Sequence, residues 1–331
     1  MKKIVSFFLL FNVLCCFVLN AQSLEKSDRK YSIEALQEDF RVLRSSLEEG
    51  HAGLYRYNSK QEFDRYFDSL YACIIHEQTE TEFMRFLTPL IYKIHCVHSW
   101  VSNPDTYKES NSYFPLPIKI IDNKMYADCD YDGVKFGSEL VAINGEKTQN
   151  ILEKLYITQS TDGFNQTFLP RILEYSFHSR YKQHISDTNS YTMLIKAPLS
   201  SEIVQIKTTG VTKDSLRAIF KTRHLNLKYK NAPALSYNFQ NDSTVLLNIE
   251  TFDGTLIKND KIDYDTYLKA FFKELDEKNV KNLIIDLRRN PGGTSAYNPG
   301  LFSYLTSKPF DVFASVQINT ITPSFLRYTQ F

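Results

Sequence analysis

The residues of this chain best placed to do chemistry lie in one short run, Leu283-Ile284-Ile285-Asp286-Leu287-Arg288-Arg289-Asn290-Pro291-Gly292-Gly293-Thr294. Apolar residues come first, then a polar turn, then two consecutive glycines. The apolar part predicts a strand, and the residues after the glycines predict a helix from about Ser295 to Leu305. A strand that turns into a helix through glycine exposes peptide N–H groups, because helix-start amides lack intrahelical partners and sit at the positive end of the dipole. Gly292 and Gly293 also permit close approach and unusual φ. Such a corner can hold an anion, and the oxyanion that develops during acyl transfer is one. A Walker-type phosphate loop is excluded, because it needs Lys-Ser/Thr after the glycines and Thr294-Ser295 stand there. A dinucleotide fingerprint needs three spaced glycines and also fails. The competing interpretation is an ordinary strand-to-helix turn that uses glycine only for its shape.

Other reactive groups are more scattered. His95 and His98 flank Cys96 at the end of a predicted helix. Zinc would need further ligands at suitable spacing, so these histidines read as capping or core residues, with no metal and no cofactor implied. Seven histidines leave room for a Ser-His-Asp arrangement, but no Gly-x-Ser-x-Gly elbow is present.

Two kinds of element must position the corner. From 235 onward the pattern is α/β: Val245 to Ile249 reads as a strand, Asp263 to Lys278 as a helix, and Asn282 to Leu287 as a second strand. That is a βαβ unit, and the nearly all-apolar second strand is expected to be buried on both faces of a parallel sheet. Upstream, residues 32–95 predict three amphipathic helices. Ser32 is placed as an N-cap, and Ser59-Lys60-Gln61-Glu62 and Thr79-Glu80-Thr81-Glu82 are capping boxes. Between these regions, Phe114–Ile121 and Lys124–Ala127 read as strands around an Asp122-Asn123 turn, and Gly137–Ile143 as a strand closed by Asn144-Gly145. Thr148–Leu155 and 164–182 look helical, Tyr191–Ile195 and Ile203–Lys207 look like strands, and 209–232 has no clear pattern.

The first residues carry a separate signal. Lys2 and Lys3 precede an apolar run from Ile4 to Leu19, then Ala21 and a polar stretch. This predicts a secretory signal peptide over 1–21, cleaved after Ala21. The run falls short of the roughly 20 apolar residues of a membrane span, so no stable membrane insertion is expected after cleavage. The protein is expected to be exported: periplasmic, outer-membrane-associated or extracellular. Three cysteines would remain, Cys73, Cys96 and Cys129, an odd number that reads as buried thiols rather than a disulfide framework. With 39 Lys+Arg against 38 Asp+Glu, the chain lacks the basic excess of a nucleic-acid-binding protein.

The run Asp286-Leu287-Arg288-Arg289-Asn290-Pro291-Gly292-Gly293 resembles the Asp-Leu-Arg-x-Asn-x-Gly-Gly signature of the C-terminal processing (tail-specific) serine peptidases. Export signal, helical domain and β-rich segment in that order fit the same family. Gly137, Leu140, Ile143, Asn144 and Gly145 resemble the second half of the PDZ domain that such peptidases carry. Beside the signal peptide 1–21 and the helical domain 22–105 read from the residues themselves, the resemblance implies a PDZ-like and connecting region over 106–234 and an incomplete crotonase-like peptidase domain over 235–331, a multi-domain α/β protein. It implies polypeptide substrates bound near their C-termini, with either Gly292 or Gly293 supplying an oxyanion-hole amide. Asp286 and Arg288 are read as holding the corner together.

The family's Ser nucleophile and Lys base both follow this motif. Here Ser295, Ser303, Ser307, Ser315 and Ser324 follow it, with a single lysine, Lys308, beside Pro309 in a polar loop. A lysine acts as a base only when burial lowers its pKa. The expectation is therefore a chain truncated before its nucleophile and base: a serine-type peptidase relative, inactive by itself. The alternatives are an exported, non-catalytic peptide-binding protein and a non-functional remnant.

Overall fold

The computed structural model describes residues 29–102, 110–223, 233–316 and 318–328. The signal-peptide reading of 1–21 lies outside these residues. Two compact units are present. One comprises the described residues up to Arg223 together with 318–328, and the other runs from 233 to 316.

The first unit opens with β1 (Lys30–Tyr31), α1 (Ile33–Gly50), α2 (Lys60–Ala72), β2 (Gln78–Thr79) and α3 (Glu80–Lys93). All three caps form as the sequence requires. Ser32 accepts from Ala35 N, and Ser59/Glu62 and Thr79/Glu82 close reciprocal capping boxes. The helices then bury one stripe each into a common cluster of Leu36, Phe40, Leu43, Phe63, Phe67, Phe83 and Leu87. Each such side chain contributes about 1.5–3 kcal/mol by leaving water. That burial holds short helices that would be marginal alone.

The β-rich part follows: β3 (Ile118–Ile121), β4 (Lys124–Ala127), β5 (Glu139–Ile143), β6 (Glu146–Lys147), α4 (Thr148–Tyr156), α5 (Phe168–His184), β7 (Ser190–Lys196), β8 (Ile203–Thr209) and α6 (Lys213–Phe220). Its main path is β3-β4-β5-β7-β8, antiparallel throughout, with β6 beside β5. The predicted turns form with positive φ at both central residues, Asp122 (49°) with Asn123 (58°) and Asn144 (50°) with Gly145 (82°). That geometry matches the right-handed twist of the paired strands. Phe114 and Leu116 are buried in the core but lie outside any strand. Within the stretch that lacked a sequence pattern, α6 forms with Thr212 as its cap; residues 224–232 lie outside the described part. The last described residues lie against α1: Ser324 donates through its N–H and its hydroxyl to the two oxygens of Glu49, and Asn319 Nδ2 to Glu48 O.

The second unit contains β9 (Leu235–Asn241), β10 (Thr244–Ile249), α7 (Gly254–Asn259), α8 (Tyr264–Glu277), β11 (Asn282–Asp286) and α9 (Tyr297–Ser303). The β10–α8–β11 unit forms, with β10 and β11 parallel in the register Val245↔Leu283 to Asn248↔Asp286. β9 adds antiparallel on the other side of β10, giving the order β11-β10-β9. Val245, Leu247 and Ile249 pack on Leu268, Phe271 and Leu275 of α8. The expectation that the apolar β11 is buried on both faces fails. Among the described residues it is an edge strand, and Ile284 is 51% exposed. Helix α8 covers one face only, so Leu283 and Ile285 meet the core while Ile284 points out. No helix of the described residues is long and apolar enough to cross a membrane. Cys129 is buried and Cys96 half-buried, but Cys73 is exposed, contrary to the buried reading; all three are free thiols.

Candidate active site

The corner is built at the carboxyl ends of two parallel strands. Beyond β10 the chain continues through Thr251 to Phe252, and beyond β11 through Arg288 to Gly293. These two continuations pair once more, in an isolated parallel bridge between Phe252 and Gly293. Phe252 N donates to Gly292 O (2.9 Å) and Thr294 N donates to Phe252 O (2.7 Å). In a parallel bridge of this kind the central residue turns its own N–H and C=O away from the partner strand. The Gly293 amide therefore faces outward; it is exposed and has no acceptor among the described residues.

Gly292 is different. Its N–H donates to Asn290 Oδ1 (2.8 Å), and Asn290 Nδ2 donates to Ile249 O (3.1 Å). Asn290 thus ties the loop to the end of β10 and occupies the first glycine's amide. Of the two candidates that the sequence left equal, one donor is engaged and one is open.

Both glycines are required by backbone geometry. Gly292 has φ 104° and Gly293 φ 144°, and a Cβ on Gly293 would stand 2.1 Å from Phe252 C and 2.2 Å from Phe252 O. No side chain fits where two backbones touch.

Asp286 and Arg288 pair with each other. Asp286 Oδ1 accepts from Arg288 N (3.0 Å) and Nε (2.9 Å), and Oδ2 accepts from Nη2 (2.6 Å). The Arg288 side-chain hydrogen bonds, with the backbone N–H next, hold the Asp286 carboxyl down at about 2. A carboxylate held ionised in this way closes the turn and is a poor proton shuttle near neutral pH.

The glycines do not stand at a helix start, so no helix dipole acts on their amides. α9 starts at Tyr297, with Ala296 as its N-cap and no side-chain cap. Its start is displaced because the bridge to Phe252 keeps Gly292 to Thr294 in an extended pairing. The Gly293 amide is consequently a strand-type donor. Sequence reasoning also missed Asn290 and Phe252. The Asn two residues before Gly is an Asx-turn signal that was available. Phe252 carries no signal, since it acts through its backbone.

No serine from Ser295 onward hydrogen-bonds a lysine among the described residues. Ser303 Oγ donates to Gly300 O, Ser324 to Glu49, and Lys308 is exposed with its N–H on Thr306 Oγ1. In the first unit His51 Nε2 and Ser99 Oγ lie 3.1 Å apart, both buried. Burial lowers the His51 pKa, but His51 Nδ1 has no partner, so the carboxylate of a triad is missing from this pair.

The fold and the corner together define a mixed α/β protein with one outward amide at the carboxyl end of a parallel strand pair, a geometry suited to holding a carbonyl oxygen. Residues 243–318 match the model of peptidase family S41, and that segment contains the Asp286–Gly293 signature. The fold is similar to that of mature CPAF (TM-score 0.53, 15% identity, covering 82% of this chain and 58% of that one). It is equally similar to mature CPAF complexed with lactacystin (TM-score 0.53, 14% identity, covering 82% of this chain and 59% of that one). The chain thus spans less than three fifths of the length of these structures, 58% and 59%. No curated protein matches it.

Proposed function

We propose that the second unit is the oxyanion-binding part of a serine-type peptidase domain, crotonase-like in fold, with polypeptides as substrates. The single observation that carries this reading is the outward Gly293 N–H at a corner matching the family motif. In the full reaction a serine Oγ adds to the peptide carbonyl carbon as its proton passes to a neutral lysine. The carbonyl π pair moves to oxygen, where Gly293 N–H donates to the new negative charge. Collapse of this adduct breaks the C–N bond, and the amine leaves with the proton. Water then repeats the sequence on the acyl-enzyme.

The proposal extends to a chain that does not turn over by itself, because no Ser–Lys pair stands behind the corner among the described residues. It includes export under the 1–21 leader, the 22–105, 106–234 and 235–331 division, and a PDZ-like middle segment.

The test is an isotope-labelled chain titrated with a stable peptide phosphinate, a tetrahedral anion that cannot be hydrolysed. The Gly293 amide resonance should move downfield while Gly292 moves little. Movement of Gly292 alone, or of neither, overturns the assignment. Separately, an unstructured fluorogenic peptide should remain intact; cleavage lost on serine-directed acylation overturns the inactivity.

A second reading, peptide binding without turnover, is favoured by β8. Among the described residues it is an edge strand with Ile203 and Val204 exposed, and an extended peptide could add to it. Saturable binding of peptides with a free C-terminus, and none of amidated ones, would support it.

A further inference from the structure

Just past α3 the chain makes a tight turn, and its side chains meet the loop between α4 and α5. Two hydrogen bonds set the register of this meeting: Val97 N donates to Asp162 Oδ1 (2.9 Å), and Gly163 N donates to His95 O (3.0 Å). His95 holds φ 56° there, and its ring is packed among Tyr57, Tyr92 and Phe164. The turn thereby sends His95 inward and leaves Cys96 and His98 beside Asp162. One ligand atom from each of Cys96, His98 and Asp162 lies within 4.8 Å of the other two.

We propose that Cys96, His98 and Asp162 bind a borderline divalent cation, zinc foremost, and that this metal clips the helical part of the first unit to its β-rich part. The donor set carries the choice of metal. Thiolate and imidazole disfavour magnesium and calcium, which take oxygen ligands, and a carboxylate disfavours a purely soft cation. Thiolate and carboxylate together cancel the charge of a divalent ion. Tetrahedral zinc with Zn–S near 2.3 Å and Zn–N and Zn–O near 2.0–2.2 Å has ligand edges of roughly 3.5 Å. The present spread thus closes onto the ion by about 1 Å. The Val97 N–H on Asp162 acts as the outer partner that orients a ligating carboxylate, leaving the second oxygen for the metal. Cys96 is half-buried and His98 and Asp162 are exposed, so an ion has an entry path. Three protein ligands leave the fourth position for water. The sequence showed only Cys96 and His98; the third ligand comes from another part of the first unit.

The experiment uses the full chain, cleared of metal by a chelator and desalted, then titrated calorimetrically with zinc chloride alone. Cobalt(II) serves as the spectroscopic substitute. One equivalent should bind, and cobalt should give intense tetrahedral visible bands with a thiolate charge-transfer band. Loss of an orienting partner costs roughly 10–100-fold in affinity, so Cys96→Ser and His98→Ala should each cost at least that much, and Cys96→Ser should remove the charge-transfer band. Asp162→Asn keeps the Val97 acceptor and the loop register, so weaker binding in that variant reports ligation rather than misfolding. Absence of binding overturns the proposal. So does zinc that binds the Cys96→Ser/His98→Ala double variant as tightly as the unaltered chain, which would place it elsewhere on the surface.

Discussion

Replacing each corner glycine by alanine should give unequal losses, and the inequality tests the bridge. At Gly292 an added Cβ meets nothing within 4 Å, so the cost is the strain of φ 104° for an L-residue, about 1–3 kcal/mol. At Gly293 the same kind of strain applies at φ 144°, and the Cβ also collides with the Phe252 backbone at 2.1 Å. Relief requires the two continuations to part, which loses the hydrogen bonds from Phe252 N and Thr294 N at about 0.5–1.5 kcal/mol each. The sum is about 2–6 kcal/mol for Gly293→Ala. Because the strain is common to both, the difference of about 1–3 kcal/mol isolates the bridge. Hydrogen exchange read by mass spectrometry on peptides covering 245–253 and 290–297 measures it locally. Gly293→Ala should lose protection at Phe252 and Thr294, while Gly292→Ala should largely keep it. Equal loss in the two variants, or a larger loss in Gly292→Ala, would refute the bridge geometry and with it the outward Gly293 amide.

Three further outcomes follow from the first unit, where Trp100, the sole tryptophan, gives a fluorescence signal in urea titrations. Burial, with Glu38 and Glu80 adding to it, raises the half-buried Asp39 carboxyl to about 6 from 3.8. A raised acid means the folded state binds the proton more tightly, so stability falls as pH rises between about 4 and 6 and stays lower above. Two pKa units are worth about 3 kcal/mol, reduced to about 1–2 kcal/mol for a group that solvent partly reaches; Asp39→Asn should stabilise by that much at pH 7.5 and by almost nothing below pH 4. Glu174, 1% exposed, accepts from Lys119 Nζ (2.7 Å), Arg171 Nη1 (3.0 Å) and Ile120 N (3.0 Å). Glu174→Ala strands a lysine that is itself mostly buried and should cost about 3–5 kcal/mol; an unchanged urea midpoint would contradict the pairing. Ser59→Ala and Thr79→Ala should each cost about 1 kcal/mol through loss of the capping boxes, read as a lowered midpoint with an unchanged slope.

What was legible in the sequence was local. The capping boxes of α2 and α3, the positive-φ turns at Asp122-Asn123 and Asn144-Gly145, and the β10–α8–β11 order are each written in a few adjacent residues. What escaped depends on partners distant in the chain. β9 was not seen because Leu235–Asn241 is mostly polar and exposed and becomes a strand by pairing with β10. Ile284 was misread because an apolar run does not say whether a second layer covers it. At the site, the motif marked Gly292 and Gly293 but could not separate them. The separation comes from Asn290, which occupies one amide, and from Phe252, whose backbone turns the other outward. Cys96 and His98 looked isolated for a similar reason, since Asp162 meets them only through the folded loop.

The strap of Asn319 and Ser324 on the end of α1 has a consequence in time. Glu49 and Ser324 are separated by 275 positions, and the whole second unit lies between them. A chain synthesised at about 5–20 residues per second leaves that end of α1 waiting roughly 14–55 s for its partner. The helical cluster must therefore hold its shape without the strap while the second unit is still being made. The contact rests on a few exposed hydrogen bonds, which can open and close without disturbing the core.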